Sequence, residues 1–226
     1  MNNVIIACDM QDKASLYKLL EQFPNKKPFL KIGMELFYKE GPSIIRDLKK
    51  DGYKIFLDLK LHDIPNTVYK AMKNIARLEV DIVNVHAAGG IEMMKAAKKA
   101  IDEVHPQTKL IAVTLLTSID DQISEKELLI TSSIKKTVSH YAKNAKYAGL
   151  DGVVCSPLEA PMIKEMDLIS VTPGIRFASD NKDDQVRVTT PAQAKELGST
   201  YIVVGRSITQ HENPLTAYLA CVKDFS

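Results

Sequence analysis

The strongest constraint on the fold is an alternation repeated eight times along the 226 residues. Short apolar runs rich in Val and Ile occupy 4–7, 29–32, 54–57, 82–85, 110–113, 152–155, 168–171 and 201–204, and they read as buried strands. Between them, segments 12–23, 42–50, 65–78, 90–103, 134–148, 157–165, 191–197 and 214–222 fit amphipathic helices. Several open with Pro in the first turn, where its missing N–H is tolerated. A doubly wound sheet shares this alternation, but no G-x-G-x-x-G or G-x-x-x-x-G-K-S/T supports it. Eight β-α units in a chain of this length predict an α/β fold: one (β/α)8 barrel domain spanning 1–226.

Composition supports one undivided core. Hydrophobic residues make up 45%, and no linker or low-complexity tract interrupts the pattern. With 30 basic against 28 acidic residues, the net charge of +2 gives no broad field for nucleic acid or an anionic membrane. The lysine-rich stretch 93–100 reads as a solvated helix face. Cys8, Cys155 and Cys221 form an odd set without C-x-x-C spacing, two of them in apolar runs, which predicts reduced thiols and a cytoplasmic protein. The chain passes from Met1 almost directly into a strand, and no apolar run approaches about 18 residues, so neither a signal peptide nor a membrane span is expected. Two connections stand out as long, 114–134 and the polar 172–190, and both are candidate lids.

The residues at the ends of the runs point to chemistry. Asp9 follows the first run, Lys31 lies within the second, Asp58 and Lys60 close the third, and His86 closes the fourth. Thr117 and Ser118 follow the fifth, Pro173-Gly174-Ile175-Arg176 the seventh, and Gly205-Arg206-Ser207 the eighth. Residues two apart share a strand face, so Asp58 and Lys60 project together, with Asp63 in the turn before Pro65. Carboxyl ends of barrel strands are where ligands bind. A surface salt-bridge cluster is the bland alternative for Asp58 and Lys60, and a structural ion pair inside the barrel is the alternative for Lys31, which needs a partner such as Asp58 if buried.

Gly205-Arg206 sits where barrels commonly hold a phosphate, and Arg176 and Gln185 lie in the preceding loop; the alternative is a tight turn with a solvated Arg. His62 and His86 read as strand-end structural residues rather than general bases. Asp58 and Asp63 could ligate Mg²⁺, but Lys31 and Lys60 already supply the charge a cation would bring, and no His/Cys ligand spacing occurs.

Phe56-Leu57-Asp58-Leu59-Lys60-Leu61-His62-Asp63-Ile64-Pro65-Asn66-Thr67-Val68 closely resembles the signature of the orotidine 5′-monophosphate decarboxylase family. The similarity to its bacterial branch extends through Ala7-Cys8-Asp9, 30–37, 83–90, 171–176, 183–187 and 202–207, with Cys8 a soft departure from the Leu common there. The D-x-K-x-x-D core alone is shared with sugar-phosphate decarboxylases and aldolases; the full set is not.

The resemblance implies a homodimer of barrels that converts the small molecule orotidine 5′-monophosphate to UMP and CO₂ in pyrimidine biosynthesis, with no cofactor and no metal. It implies an alternating catalytic array of Lys31, Asp58, Lys60 and Asp63, with Lys60 donating a proton to C6 and with Asp63 and Thr67 reaching into the neighbouring subunit's site. Asp9 and Lys31 would contact the ribose, Thr117 and Ser118 the pyrimidine edge, and Arg176, Gln185, Gly205 and Arg206 the phosphate region. Ile64 and Pro173 complete the implied substrate-binding set.

The chemistry agrees with such roles, since losing CO₂ from C6 leaves charge on a ring carbon that a fixed ammonium can stabilise. The sequence leaves two rival readings. One is a Mg²⁺-dependent sugar-phosphate decarboxylase or aldolase on the same scaffold. The other is a phosphate-ligand sensor without chemistry, which would have little reason to keep four mutually costly charges.

Overall fold

Strand formation follows the apolar runs. The computed structural model describes residues 3–177 and 188–226. It places β1 at Val4–Ala7, β2 at Phe29–Gly33, β3 at Ile55–Leu61, β4 at Ile82–His86, β5 at Lys109–Val113, β6 at Gly152–Val154, β7 at Ile169–Thr172 and β8 at Tyr201–Val204. Each strand pairs in parallel with the next, and β8 returns to β1. Closure leaves no free sheet edge and excludes the doubly wound alternative.

Helices cover the outside: α1 (Lys13–Leu20), α2 (Met34–Glu40), α3 (Pro42–Lys50), α4 (Pro65–Ala76), α5 (Gly90–Val104), α6 (Asp121–Lys126), α7 (Ile134–Tyr147), α8 (Ala160–Glu165), α9 (Pro191–Glu196), α10 (Arg206–Thr209) and α11 (Pro214–Phe225). Their starts are chemically marked. Asp12, Ser133 and Asn213 each accept a first-turn N–H, Thr190 and Gln193 form a reciprocal capping box, and Pro42, Pro65, Pro191 and Pro214 occupy first-turn positions.

Three local expectations are corrected. β3 does not stop at residue 57 but runs to Leu61, so Asp58 and Lys60 lie inside the strand. The expected helix over 157–165 is divided into a 3-10 turn, Pro157–Glu159, opened by a Ser156–Glu159 capping box, and α8, Ala160–Glu165. The long 114–134 connection contains α6, capped by Asp120 accepting the Ile123 N–H at 2.8 Å.

Alternation along the strands builds two apolar layers. Ile5, Ala7, Phe29, Phe56, Ile82, Ile111, Val171 and Val203 fill the barrel interior. Ile6, Leu30, Ile32, Leu57, Val83 and Val85 face outward into the larger layer beneath the helices. Because Phe29, Phe56 and Ile82 point inward, the residues two steps later on their strands, Lys31, Asp58 and Asn84, share the interior face nearer the carboxyl end. The amino end is closed differently: Phe29 and Tyr201 rings meet edge-on at 6.1 Å. Carboxylates there serve the frame, with Asp81 accepting the Ile55 N–H and Asp151 the Leu110 N–H, each at 2.8 Å.

At Gly152 on β6 the neighbouring strand leaves no room for a side chain. A Cβ there would land on the Ile169 carbonyl oxygen of β7, a backbone atom that cannot swing aside. Gly152→Ala is expected to lower unfolding stability by about 1–3 kcal/mol, the usual cost of overpacking. Urea denaturation measures it, and an unchanged midpoint would show that the β6–β7 pair has slack.

Candidate active site

The carboxyl ends of the strands surround a cavity of about 630 Å³ lined by Asp9, Lys31, Asp58, Lys60, Thr117, Ser118, Pro173, Arg176, Gly205 and Arg206, all singled out in the sequence. That volume suits a nucleotide-sized ligand. Phe56, Val113, Val154, Val171 and Val203 form its apolar floor, which is also the top of the barrel interior. Four cationic side chains line the cavity against two carboxylates, so it favours an anion.

The charges form a connected row. Lys31 Nζ lies 2.8 Å from Asp9 Oδ1 and 3.4 Å from Asp58 Oδ2, while Asp58 Oδ1 lies 2.7 Å from Lys60 Nζ. Exposure grades along it, from 58% for the Asp9 side chain to 11% for Lys31 and Asp58 and 24% for Lys60. Burial by itself would raise the Asp58 pKa, yet Lys31, Lys60 and hydrogen bonds from Lys60 and Asn84 outweigh it and hold the carboxyl below its ordinary value. Burial would likewise lower Lys31, but Asp58 and Asp9 reverse that and hold it above the usual lysine value. Both groups therefore stay charged across the neutral range. Gly33 keeps the row closed, since a Cβ there would sit 2.9 Å from Asp9 Oδ1 and 3.3 Å from Lys31 Nζ.

Lys60 is held in an unusual backbone conformation, with φ of 52°, a left-handed value that side chains other than Gly rarely adopt. It falls where pairing slips: Leu57 is opposite Val83, but Leu61 is opposite Val85. Two extra β3 residues are accommodated there as a bulge.

Chains similar to this one bear on what such a rim does. Residues 2–221 match the family described as "Orotidine 5'-phosphate decarboxylase / HUMPS family". The chain belongs to this family. The orotidine 5'-phosphate decarboxylases of Bacillus cytotoxicus and Bacillus mycoides are each 55% identical to it over 223 residues, covering 96% of this chain and 94% of theirs. The crystal structure of orotidine 5'-phosphate decarboxylase from Lactobacillus acidophilus superposes with a TM-score of 0.90 at 44% identity, covering both chains completely.

Not every family-signature residue reaches the cavity of a single chain. Asp63, Ile64 and Thr67 do not line it; all three are exposed, and Asp63 Oδ1 accepts the neighbouring Ile64 N–H at 2.6 Å. Gln185 lies outside the described residues, as does most of the candidate lid at 172–190. The described part of that connection is pinned at its base, where Arg176 N–H donates to Thr189 O at 3.0 Å and Thr189 N–H to Gly174 O at 3.1 Å. His62 and His86 stack obliquely with ring centroids 5.5 Å apart, and neither lines the cavity. Burial, then the adjacent His62 and Lys60, push the His86 pKa below its ordinary value, which suits a neutral structural ring.

Sequence reasoning missed Met10, Leu115, Leu116, Thr209 and Gln210, which complete the cavity wall. It also missed Asn84, whose fully buried amide bonds both to Asp58 and to the Lys60 backbone. No helix among the described residues is long and apolar enough to cross a membrane.

A depressed carboxyl pKa has a defined consequence for stability. The contribution of Asp58 is fully present above the unfolded-state carboxylate pKa and is lost as pH falls through the lower folded value. Asp58→Asn is expected to destabilise the protein at pH 7 by on the order of 3 kcal/mol, because two buried ammoniums lose their shared partner. The gap from wild type should begin to narrow as pH falls below about 4, the ordinary carboxylate value, and close only at the lower pH where folded Asp58 itself becomes neutral. Urea unfolding from pH 8 to pH 3 measures it; a gap independent of pH would show that Asp58 is not held as a stabilised carboxylate.

Proposed function

We propose that this chain catalyses the decarboxylation of orotidine 5′-phosphate to UMP and CO₂, acting directly at C6 without a cofactor. The observation that carries the proposal is the Asp9–Lys31–Asp58–Lys60 row on the rim of a cationic, nucleotide-sized cavity. The C6–carboxylate bond breaks with its electron pair remaining on C6, and the ring offers that carbon little resonance help. Lys60 meets this need twice: its ammonium stabilises the developing charge and then delivers a proton to C6. Asp58 holds the Lys60 Nζ at 2.7 Å and places a negative charge near the departing carboxylate, a repulsion relieved as CO₂ leaves.

Remote groups supply binding energy for this step. Arg176 and Arg206, with Gly205, Pro173 and Gln185, take the phosphate end, Asp9 and Lys31 the ribose, and Thr117 and Ser118 the pyrimidine edge. Asp63, Ile64 and Thr67 act in the site of a second copy, which accounts for their exposure at the start of α4 and their distance from their own chain's cavity. The working unit is thus a homodimer, and its compartment the cytoplasm. The Mg²⁺-dependent sugar-phosphate alternative has less support, because both rim carboxylates already pair with ammoniums.

Pyrimidine absorbance followed on mixing the protein with orotidine 5′-phosphate tests the reaction itself. Turnover should survive EDTA; activity that vanished with EDTA and returned with Mg²⁺ would favour the alternative. Lys60→Ala should reduce kcat by at least about 10³-fold, combining loss of a general acid with loss of an electrostatic stabiliser. A folded variant with near-normal turnover would remove Lys60 from the mechanism. Mixing Lys60→Ala with Asp63→Ala should restore up to about a quarter of wild-type activity, since half of random dimers are hybrids with one intact site. No recovery after verified subunit exchange would place Asp63 in its own chain's site.

A further inference from the structure

Asn84 is a polar residue at the centre of β4, 0% exposed, on the interior face that Ile82 shares. A buried amide is tolerated only when its oxygen and nitrogen both find partners. Its Oδ1 accepts the Lys60 backbone N–H at 2.8 Å, and its Nδ2 donates to Asp58 Oδ1 at 2.7 Å. The amide orientation is fixed by chemistry, because a backbone N–H only donates and a carboxylate only accepts. Asp58 Oδ1 also receives Lys60 Nζ at 2.7 Å, so these bonds make a ring that leaves Lys60 at its backbone and returns at its ammonium.

The ring lies at the bulge. Between Leu57 and Leu61 the β3–β4 ladder slips, and Lys60 has its positive φ. The Asn84 side chain supplies the acceptor that a regular neighbouring strand would supply from its backbone. We propose that Asn84 is a positioning residue for the decarboxylation: it holds the strained turn that directs the Lys60 ammonium and orients Asp58 through its second bond. The inference rests on the decarboxylase reading and extends it to a residue that touches neither the cavity nor the reacting atoms.

Asn84→Asp separates positioning from packing. The substitution keeps the size and the acceptor for Lys60 N–H but replaces the donor facing Asp58 by an oxygen. Two carboxylate oxygens at that separation share a proton, and the protonated pair reproduces the wild-type bond. Above the pair's upper pKa both are ionised and repel. Lys31 on β2, Lys60 on β3, and His86 on β4 also act on Asp58, and Asn84→Ala, which retains all three without adding a carboxylate, shows their own contribution to the pH dependence.

The expected result is a kcat ratio that rises as pH falls and drops by about 10²-fold at alkaline pH, the loss usual for a catalytic group misplaced by about 1 Å. KM should change little. Asn84→Ala should show a similar kcat loss at every pH. A flat ratio for Asn84→Asp, or a rise in KM with kcat intact, would overturn the proposal. So would failure of the Asp, Ala and Ser variants alike to fold by circular dichroism, which would assign Asn84 to the barrel frame. Wild-type turnover in the same assay distinguishes the claims: its absence removes the decarboxylase reading, whereas turnover with a flat ratio removes the role of Asn84 alone.

Discussion

A carboxylate held between two ammoniums organises this molecule. Asp58 is 8% exposed as a residue, and burial opposes its ionisation, yet Lys31 at 3.4 Å and Lys60 at 2.7 Å keep it charged. None of the three is tolerable without the others. β2 supplies Lys31 and β3 supplies Asp58 and Lys60, so the cluster exists only when these strands lie side by side in one register. Gly33 opposite Asp58 is part of that register.

The barrel makes the cluster possible because strand parity links floor and rim. The face that buries Phe29, Phe56 and Ile82 presents Lys31, Asp58 and Asn84 one repeat higher. Apolar packing below thus positions charge above, and the ammonium of Lys60 is aimed before any ligand arrives. Preorganised charge is more effective than charge that must reorient with solvent during the reaction. Within the charged row the strain falls at the positive φ of Lys60, whose backbone N–H donates to Asn84 Oδ1 on the adjacent strand.

Much of this was legible in the sequence, for identifiable reasons. Each strand announced itself through an apolar run, and the rim charges through their positions at the ends of those runs. The extension of β3 to Leu61 was hidden because Asp58 and Lys60 break the apolar pattern that marks a strand. α2 was hidden because it follows β2 with no intervening loop, and its N-cap Gly33 offers no capping side chain. α6 did carry a signal, the capping Asp120, inside a connection otherwise read as a loop. Asn84 gave none: a single amide in an apolar run does not reveal that it faces a bulge on the next strand. Asp63 and Thr67 were conspicuous through the family resemblance, but one chain alone does not bring them to the cavity.

In the proposed mechanism the Lys60 ammonium stabilises the negative charge that develops at C6. The most direct measurement compares the dissociation constants of UMP and of a UMP analogue bearing an oxyanion at C6, for wild type and for Lys60→Ala. The wild type should prefer the anionic analogue by at least about 10²-fold, as expected for a mimic of the transition-state charge, and Lys60→Ala should lose most of that preference. An equal preference in both proteins would contradict the claim and place the source of stabilisation elsewhere in the cavity.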